Sequence, residues 1–224
     1  ELKRLQNYTD HFSRERHTDA QFSRTAPNRL NDHIELLQDP KIQALFGGKL
    51  PDYFIDIGPG LGNPQYPAIT SKEIKENFPR TTVIALDLPK EYVKFFENIP
   101  VDVKNELIIS GVQPISGDGL KPLRDQLKDV PLEDYPIVIR AANSIDIYCK
   151  WGPVRNALIK MAEDFKQNPT LLLFNREILF KPAGSTKWRI IGQVSTRGFQ
   201  HRNTSKRIKG PPYELMQDRI DSLK

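Results

Sequence analysis

The run YFIDIGPGLGNP, Tyr53 to Pro64, constrains this chain more than any other stretch. Its first five residues are apolar except for one carboxylate and read as a buried strand, and the alternate glycines that follow end that strand in a sharp turn. Gly58, Gly60 and Gly62 permit positive φ and the close approach of a ligand to the backbone. The next segment, PAITSKEIKENF, has a helical pattern, so unpaired N–H groups open close behind the glycines.

From Tyr53 onward strands and helices alternate. TTVIALDL is a second strand and PKEYVKFFENI a second helix; VQPISGD is a weaker third strand, followed by a short helix in LKPLRDQLKD. YPIVIRAAN is a fourth strand and GPVRNALIKMAEDFKQ a strongly amphipathic helix. TLLLFNREILF reads as the fifth strand, facing TKWRIIGQVSTRGF across a KPAGST turn. This alternation implies a parallel sheet with helices on both faces. The expected fold is a three-layer α/β/α, doubly wound, mostly parallel sheet with a C-terminal antiparallel hairpin. In such sheets ligands bind at the carboxyl ends of the strands, near the point where strand order reverses. Residues 1–50 are polar, and Leu30, Ile34, Leu37 and, after Pro40, Ile42 and Leu45 recur at helical spacing. They are expected to form an N-terminal helical extension or cap on a main domain at 51–200, with a basic C-terminal segment at 201–224.

Length suits one domain with an extension: 224 residues, 38% hydrophobic and 27% charged. No run approaches the roughly 20 apolar residues that span a bilayer. The first residues show neither a secretory h-region nor an initiator Met, so the chain reads as trimmed or processed. The lone Cys149 excludes an intramolecular disulfide and a multi-cysteine zinc site, and a reducing cytoplasm is the default location. His11, His17, His33 and His201 are scattered without metal-ligand spacing, so no metal is expected. Net charge is +5, and Arg197, Arg202, Lys206, Arg207 and Lys209 cluster without an acid among them. Such a segment can contact phosphates, although a solvated basic tail is the plainer reading.

The chemistry begins with the glycine spacing. A dinucleotide turn reads G-x-G-x-x-G, whereas this loop is G-x-G-x-G, stiffened by Pro59 and Pro64. Asp56 stands two residues before the first glycine, an awkward neighbour for a pyrophosphate. It suits a ligand with positive character, such as an ammonium or sulfonium group, or else accepts hydrogen bonds from the loop's own backbone. Asp87 ends the second strand, just before Leu88, where a carboxylate can accept from ribose hydroxyls. Asp118, between Gly117 and Gly119, ends the third strand. It is either an adenine contact or an Asp-Gly turn.

Taken together, Asp56, Gly58-x-Gly60-x-Gly62, Asp87 and Asp118 resemble the class I, Rossmann-like S-adenosylmethionine-dependent methyltransferases. FIDIGPGLG matches that family's first motif, an apolar strand ending in acid-x-Gly-x-Gly-x-Gly, and the resemblance runs from Tyr53 to about Phe180. It implies S-adenosylmethionine as cofactor, held by Asp56, Gly58, Pro59, Gly60, Gly62, Asp87, Leu88, Gly117, Asp118, Gly119 and Asn143. Asp87 would take the ribose, Asp118 the adenine, and the family's fourth motif falls on RAANSIDIY. Two features depart from the family: the helix between the fifth strand and the closing hairpin is missing or very short, and the first 50 residues match no general family feature.

The acceptor is less defined. The fourth motif reads Asn143-Ser144-Ile145-Asp146 and lacks the Asp/Asn-Pro-Pro-Tyr/Phe of amino-group methylation. The GPPY at Gly210 to Tyr213 follows no apolar strand and reads as a turn. Cys149 lacks the context of a cytosine C5 nucleophile and reads as a small buried hydrophobe. Arg140, Asn143, Asp146 and Tyr148 remain near the transfer position, with Asn143 and Tyr148 as catalytic candidates. Arg24 and Arg29 can reach a cofactor carboxylate or an acidic substrate. A small-molecule or protein acceptor is favoured over RNA, which the basic C-terminal segment keeps open. An NAD(P)-dependent oxidoreductase is the alternative from another class, without a Tyr-x-x-x-Lys pair to support it. A non-catalytic binding module of the same fold is a third reading.

Overall fold

The computed structural model describes residues 31–141, 144–145, 149–174, 177–195 and 198–201. Expectations resting on Arg24, Arg29, Leu30, Asn143, Asp146, Tyr148, Arg197 and the segment 202–224 lie outside the described residues.

Helix α1 (Asn31–Gln38) and helix α2 (Pro40–Leu45) are separated at Asp39, as Pro40 requires. Pro40 opens α2 while the Asp39 carboxylate accepts from Lys41 N at 2.7 Å, capping the second helix. Then come β1 (Tyr53–Ile57), α3 (Ile69–Asn77), β2 (Thr82–Asp87), α4 (Pro89–Asn98), α5 (Val101–Ile109), β3 (Val112–Ser116) and α6 (Leu123–Gln126). The chain continues through β4 (Ile137–Ala141), α7 (Trp151–Asp164), β5 (Thr170–Phe174), β6 (Glu177–Lys181), β7 (Arg189–Ser195) and β8 (Gly198–His201).

The strands form one sheet in the order β3-β2-β1-β4-β5-β6-β7-β8. The first five run parallel and the last three are added antiparallel. Every residue of β1, β4 and β5 is buried, as continuous apolar strands covered on both faces must be. On one face Ile55, Ile57, Ile84 and Ile139 pack against Leu123 of α6 and Val154, Leu158 and Met161 of α7. On the other, Phe54, Val83, Ala85 and Val138 meet Leu36 and Leu37 of α1, Ile42 of α2, Ile74 of α3, Phe95 of α4 and Leu107 of α5. The expected α/β architecture is therefore present. Strand order reverses between β1 and β4, which places the switch point beside the glycine loop.

Two elements differ from the sequence reading. TLLLFNREILF is two antiparallel strands, because the polar pair at 175–176 interrupts the apolar run; β5 pairs Leu172 with Leu179 of β6. The expected hairpin is present as β6 and β7, and β8 extends it. Helix α5 was not expected at all. Its apolar residues are spread around the helix, and only Leu107 is buried while Ile109 is 82% exposed. No single stripe marks it in the sequence.

The carboxyl end of α7 is closed from a distant strand. Lys181 is fully buried, and its Nζ donates to Phe165 O at 2.7 Å and Asn168 O at 2.9 Å. A cation suits these carbonyls because the helix C-terminus carries partial negative charge. Phe165 O also accepts from Asn168 N at 2.9 Å and Asn168 O from the Thr170 hydroxyl at 3.0 Å, so Lys181→Met removes the charged donor they share without orphaning either carbonyl. Hydrogen bonds to a charged group contribute about 1.5–3 kcal/mol, so the urea midpoint should fall without loss of secondary structure by circular dichroism.

Candidate functional site

The site grows from the end of β1. Gly58 has φ +65°, and its N–H donates to Leu86 O at 2.8 Å, joining the loop to β2. A Cβ on Gly58 would lie 2.7 Å from the Ser144 Cβ, so only glycine lets the loop after β4 pass this closely. Gly60 has φ +81°, and no atom of the described residues beyond its chain neighbours lies within 4 Å of where its Cβ would point. Asn63 Oδ1 accepts from Gln65 N at 3.0 Å and Tyr66 N at 3.1 Å, which rigidifies the way into α3.

Asp87 crosses to this loop from β2. Its Oδ2 accepts from Gly60 N at 3.0 Å and Leu61 N at 2.8 Å, and its Oδ1 from Leu88 N at 2.9 Å. Burial pushes the Asp87 pKa up; the N–H bonds from Leu61 and Leu88 oppose this, and the nearby Glu91 charge adds to it. The loop after β3 is tied to the same point by Gly117 N, which donates to Asp87 O at 2.8 Å. Thus Gly58, Pro59, Gly60, Gly62, Asp87, Leu88, Gly117, Asp118 and Gly119, distant in sequence, are brought to the carboxyl ends of three adjacent strands.

Asp118 takes the turn conformation. Its Oδ1 accepts from Leu120 N at 2.9 Å, and its N–H donates to Gln126 Oε1 at 2.6 Å. Gln126 returns a bond from Nε2 to Asp118 O at 3.0 Å. Gln126 thereby fixes the turn from α6, a role that no local pattern announced.

Asp56 has two internal partners and is 0% exposed. Its Oδ1 accepts from Arg140 Nη1 at 2.8 Å and its Oδ2 from Ser71 Oγ at 2.9 Å. Asp56 and Arg140 are register partners on neighbouring strands, so the pair bridges β1 and β4. The structure thus leaves Asp56 no exposed oxygen with which to meet a sulfonium, and the loop backbone is not its donor either. A buried guanidinium takes that place.

His33, one of the chain's four scattered histidines, lies on α1. It is 9% exposed and shares the buried face of its helix with Leu36 and Leu37. Its i+3 and i+4 spacing to those leucines was the available signal. Neither His33 Nδ1 nor Arg140 Nε has a hydrogen-bond partner among the described residues. Cys149 is partly buried against the core around α7. Among the described residues no group of three or more His, Cys, Asp or Glu is placed to hold a metal. Nor, among them, is any helix long and apolar enough to cross a membrane.

No family model and no curated protein matches this chain. Among solved structures, it is similar to the S-adenosylmethionine-dependent methyltransferase SibL in its apo form. Identity there is 14% over 86% of this chain and 41% of that one, with a TM-score of 0.41. It is also similar to the plantazolicin methyltransferase BpumL in complex with SAH, at 13% identity over 75% of this chain and 61% of that one, with a TM-score of 0.35. The chain therefore spans less than two thirds of either protein's length.

Burial first, and then the Arg140 charge, push the His33 pKa from 6.5 down to about 3. Between those values the unfolded chain holds a proton on this histidine that the folded chain does not. Stability should therefore fall on acidification through that window, by up to about 1.4 kcal/mol per pH unit. Urea midpoints followed from pH 7 to pH 4 should show this loss in the wild type and less of it in His33→Gln.

Proposed function

We propose that this chain is a methyltransferase of the Rossmann-like class that uses S-adenosylmethionine. The observation that carries the reading is the direction of the loop amides. A pyrophosphate would need free N–H groups at the glycine turn, and those of Gly60 and Leu61 are spent on Asp87. A ligand that passes over this loop without placing an anion on it fits the arrangement better than a dinucleotide. The open side of Gly60 admits such a ligand to the backbone, and the exposed Leu88 supplies an apolar surface for an adenine.

When bound, the cofactor supplies a sulfonium methyl group for in-line displacement, a reaction in which positioning and desolvation provide much of the acceleration. The chain's own part is to present the open Gly60 turn, hold the loops after β1, β2 and β3 in one register, and keep the Asp56–Arg140 pair beneath them. Asn143 and Tyr148, in the loop after β4, are the proposed acceptor-side residues. The acceptor is a small molecule or a protein side chain in a reducing cytoplasm; RNA is the competing acceptor, through the basic segment after residue 200.

Titration calorimetry with S-adenosylhomocysteine tests the donor. Saturable one-to-one binding is expected, and its absence in the wild-type protein overturns the reading. Gly60→Val puts a branched side chain into positive φ, at a cost of about 1–3 kcal/mol, and into the space left for the ligand. It should abolish binding while the folded protein still melts cooperatively.

A further inference from the structure

We infer that the two acids at the end of β2 divide the work: Asp87 tethers the glycine loop, and Glu91, in the first turn of α4, accepts the hydroxyl groups of the nucleoside ribose. The second half of this statement rests on the methyl-donor reading; the first half does not.

Asp87 is nearly saturated. An ionised carboxylate offers about four acceptor positions, and Gly60 N, Leu61 N and Leu88 N occupy three of them. It is also 5% exposed. A ribose diol brings two donors, so gripping it through Asp87 would require a loop amide to let go and remain buried without an acceptor. The fold therefore uses this carboxylate to hold the loop.

Glu91 is one helical turn further on. Its side chain is 29% exposed, and its ion pair with Lys94 spans 3.9 Å, beyond hydrogen-bond distance. Exposed pairs of this kind contribute little, so they do not explain where Glu91 lies. The carboxylate rests against Gly62, where a built Cβ would run into it, and close enough to Asp87 for its charge to act there. The missing side chain at Gly62 thus lets a second, unsaturated carboxylate reach the loop from α4. Glu91 combines free acceptor capacity, partial exposure and contact with the glycine turn, a combination that Asp87 lacks.

Two measurements on the full chain separate the roles. Hydrogen exchange at the Gly60 and Leu61 amides of the ligand-free protein should accelerate in Asp87→Ala, and to a smaller degree in Asp87→Asn, and stay at the wild-type rate in Glu91→Gln. Unchanged exchange in the Asp87 variants overturns the tether. In calorimetry, Glu91→Gln should weaken S-adenosylhomocysteine roughly tenfold, the scale of a hydrogen bond to a charged group. It should also erase the wild-type preference for that ligand over its 2′,3′-dideoxy analogue, which a merely structural role would leave intact. Wild-type affinity and preference in Glu91→Gln overturn the ribose assignment. If the wild-type protein binds no S-adenosylhomocysteine, the methyl-donor reading and the Glu91 role fall together, while the exchange rates still decide the tether.

Discussion

The bonds from the Gly60 and Leu61 amides to the Asp87 carboxylate, at 3.0 and 2.8 Å, turn a flexible glycine run into a defined surface. Three glycines in five residues carry a large conformational entropy in the unfolded chain, and something has to offset its loss. A buried carboxylate that accepts several N–H groups does so, since charge-assisted bonds in a dry setting are stronger than neutral ones. Asp87 is in turn fixed by its strand, which lies between β1 and β3. The loop after β3 reaches the same residue through Gly117 N. Everything proposed for ligand recognition follows from this knot, because it decides which loop groups stay available.

Beneath the loop, the Asp56–Arg140 pair poses the opposite problem. Two buried charges lose hydration, and their attraction repays that loss only when the geometry is good and the remaining atoms are bonded. The 2.8 Å contact and the Ser71 hydroxyl satisfy Asp56. Arg140 Nε lacks a partner among the described residues, and so does His33 Nδ1 on the helix above. The buried face of α1 thus couples the N-terminal helices to the switch point through electrostatics as well as through Leu36 and Leu37.

Much of the scaffold was legible beforehand, for one physical reason. A strand covered on both faces is apolar throughout, and a covering helix is apolar on one stripe, so β1, β2, β4 and α7 each leave a local pattern. Helix α5 left none, because Val101, Ile108 and Ile109 are exposed while Leu107 alone is buried. The division of TLLLFNREILF was marked only by two polar residues within an apolar run. The glycines, Asp87 and the Asp118 turn were visible because their chemistry is bound to local spacing. Gln126 and Glu91 were not, since the Asp118 turn and Gly62 meet them only in the folded chain.

By itself, the sequence determined the alternation of strands and helices, the position of the glycine turn and the acids that end β1, β2 and β3. These depend on residue type and period, which operate over a few neighbours. Tertiary structure decided what each acid does. Asp56 turns inward because its register partner is Arg140, and Asp87 turns to the loop because Gly60 and Leu61, more than twenty-five residues away, present their amides to it. A carboxylate takes the donors that folding brings within reach, and that choice is set by strand register and burial rather than by its neighbours in the chain.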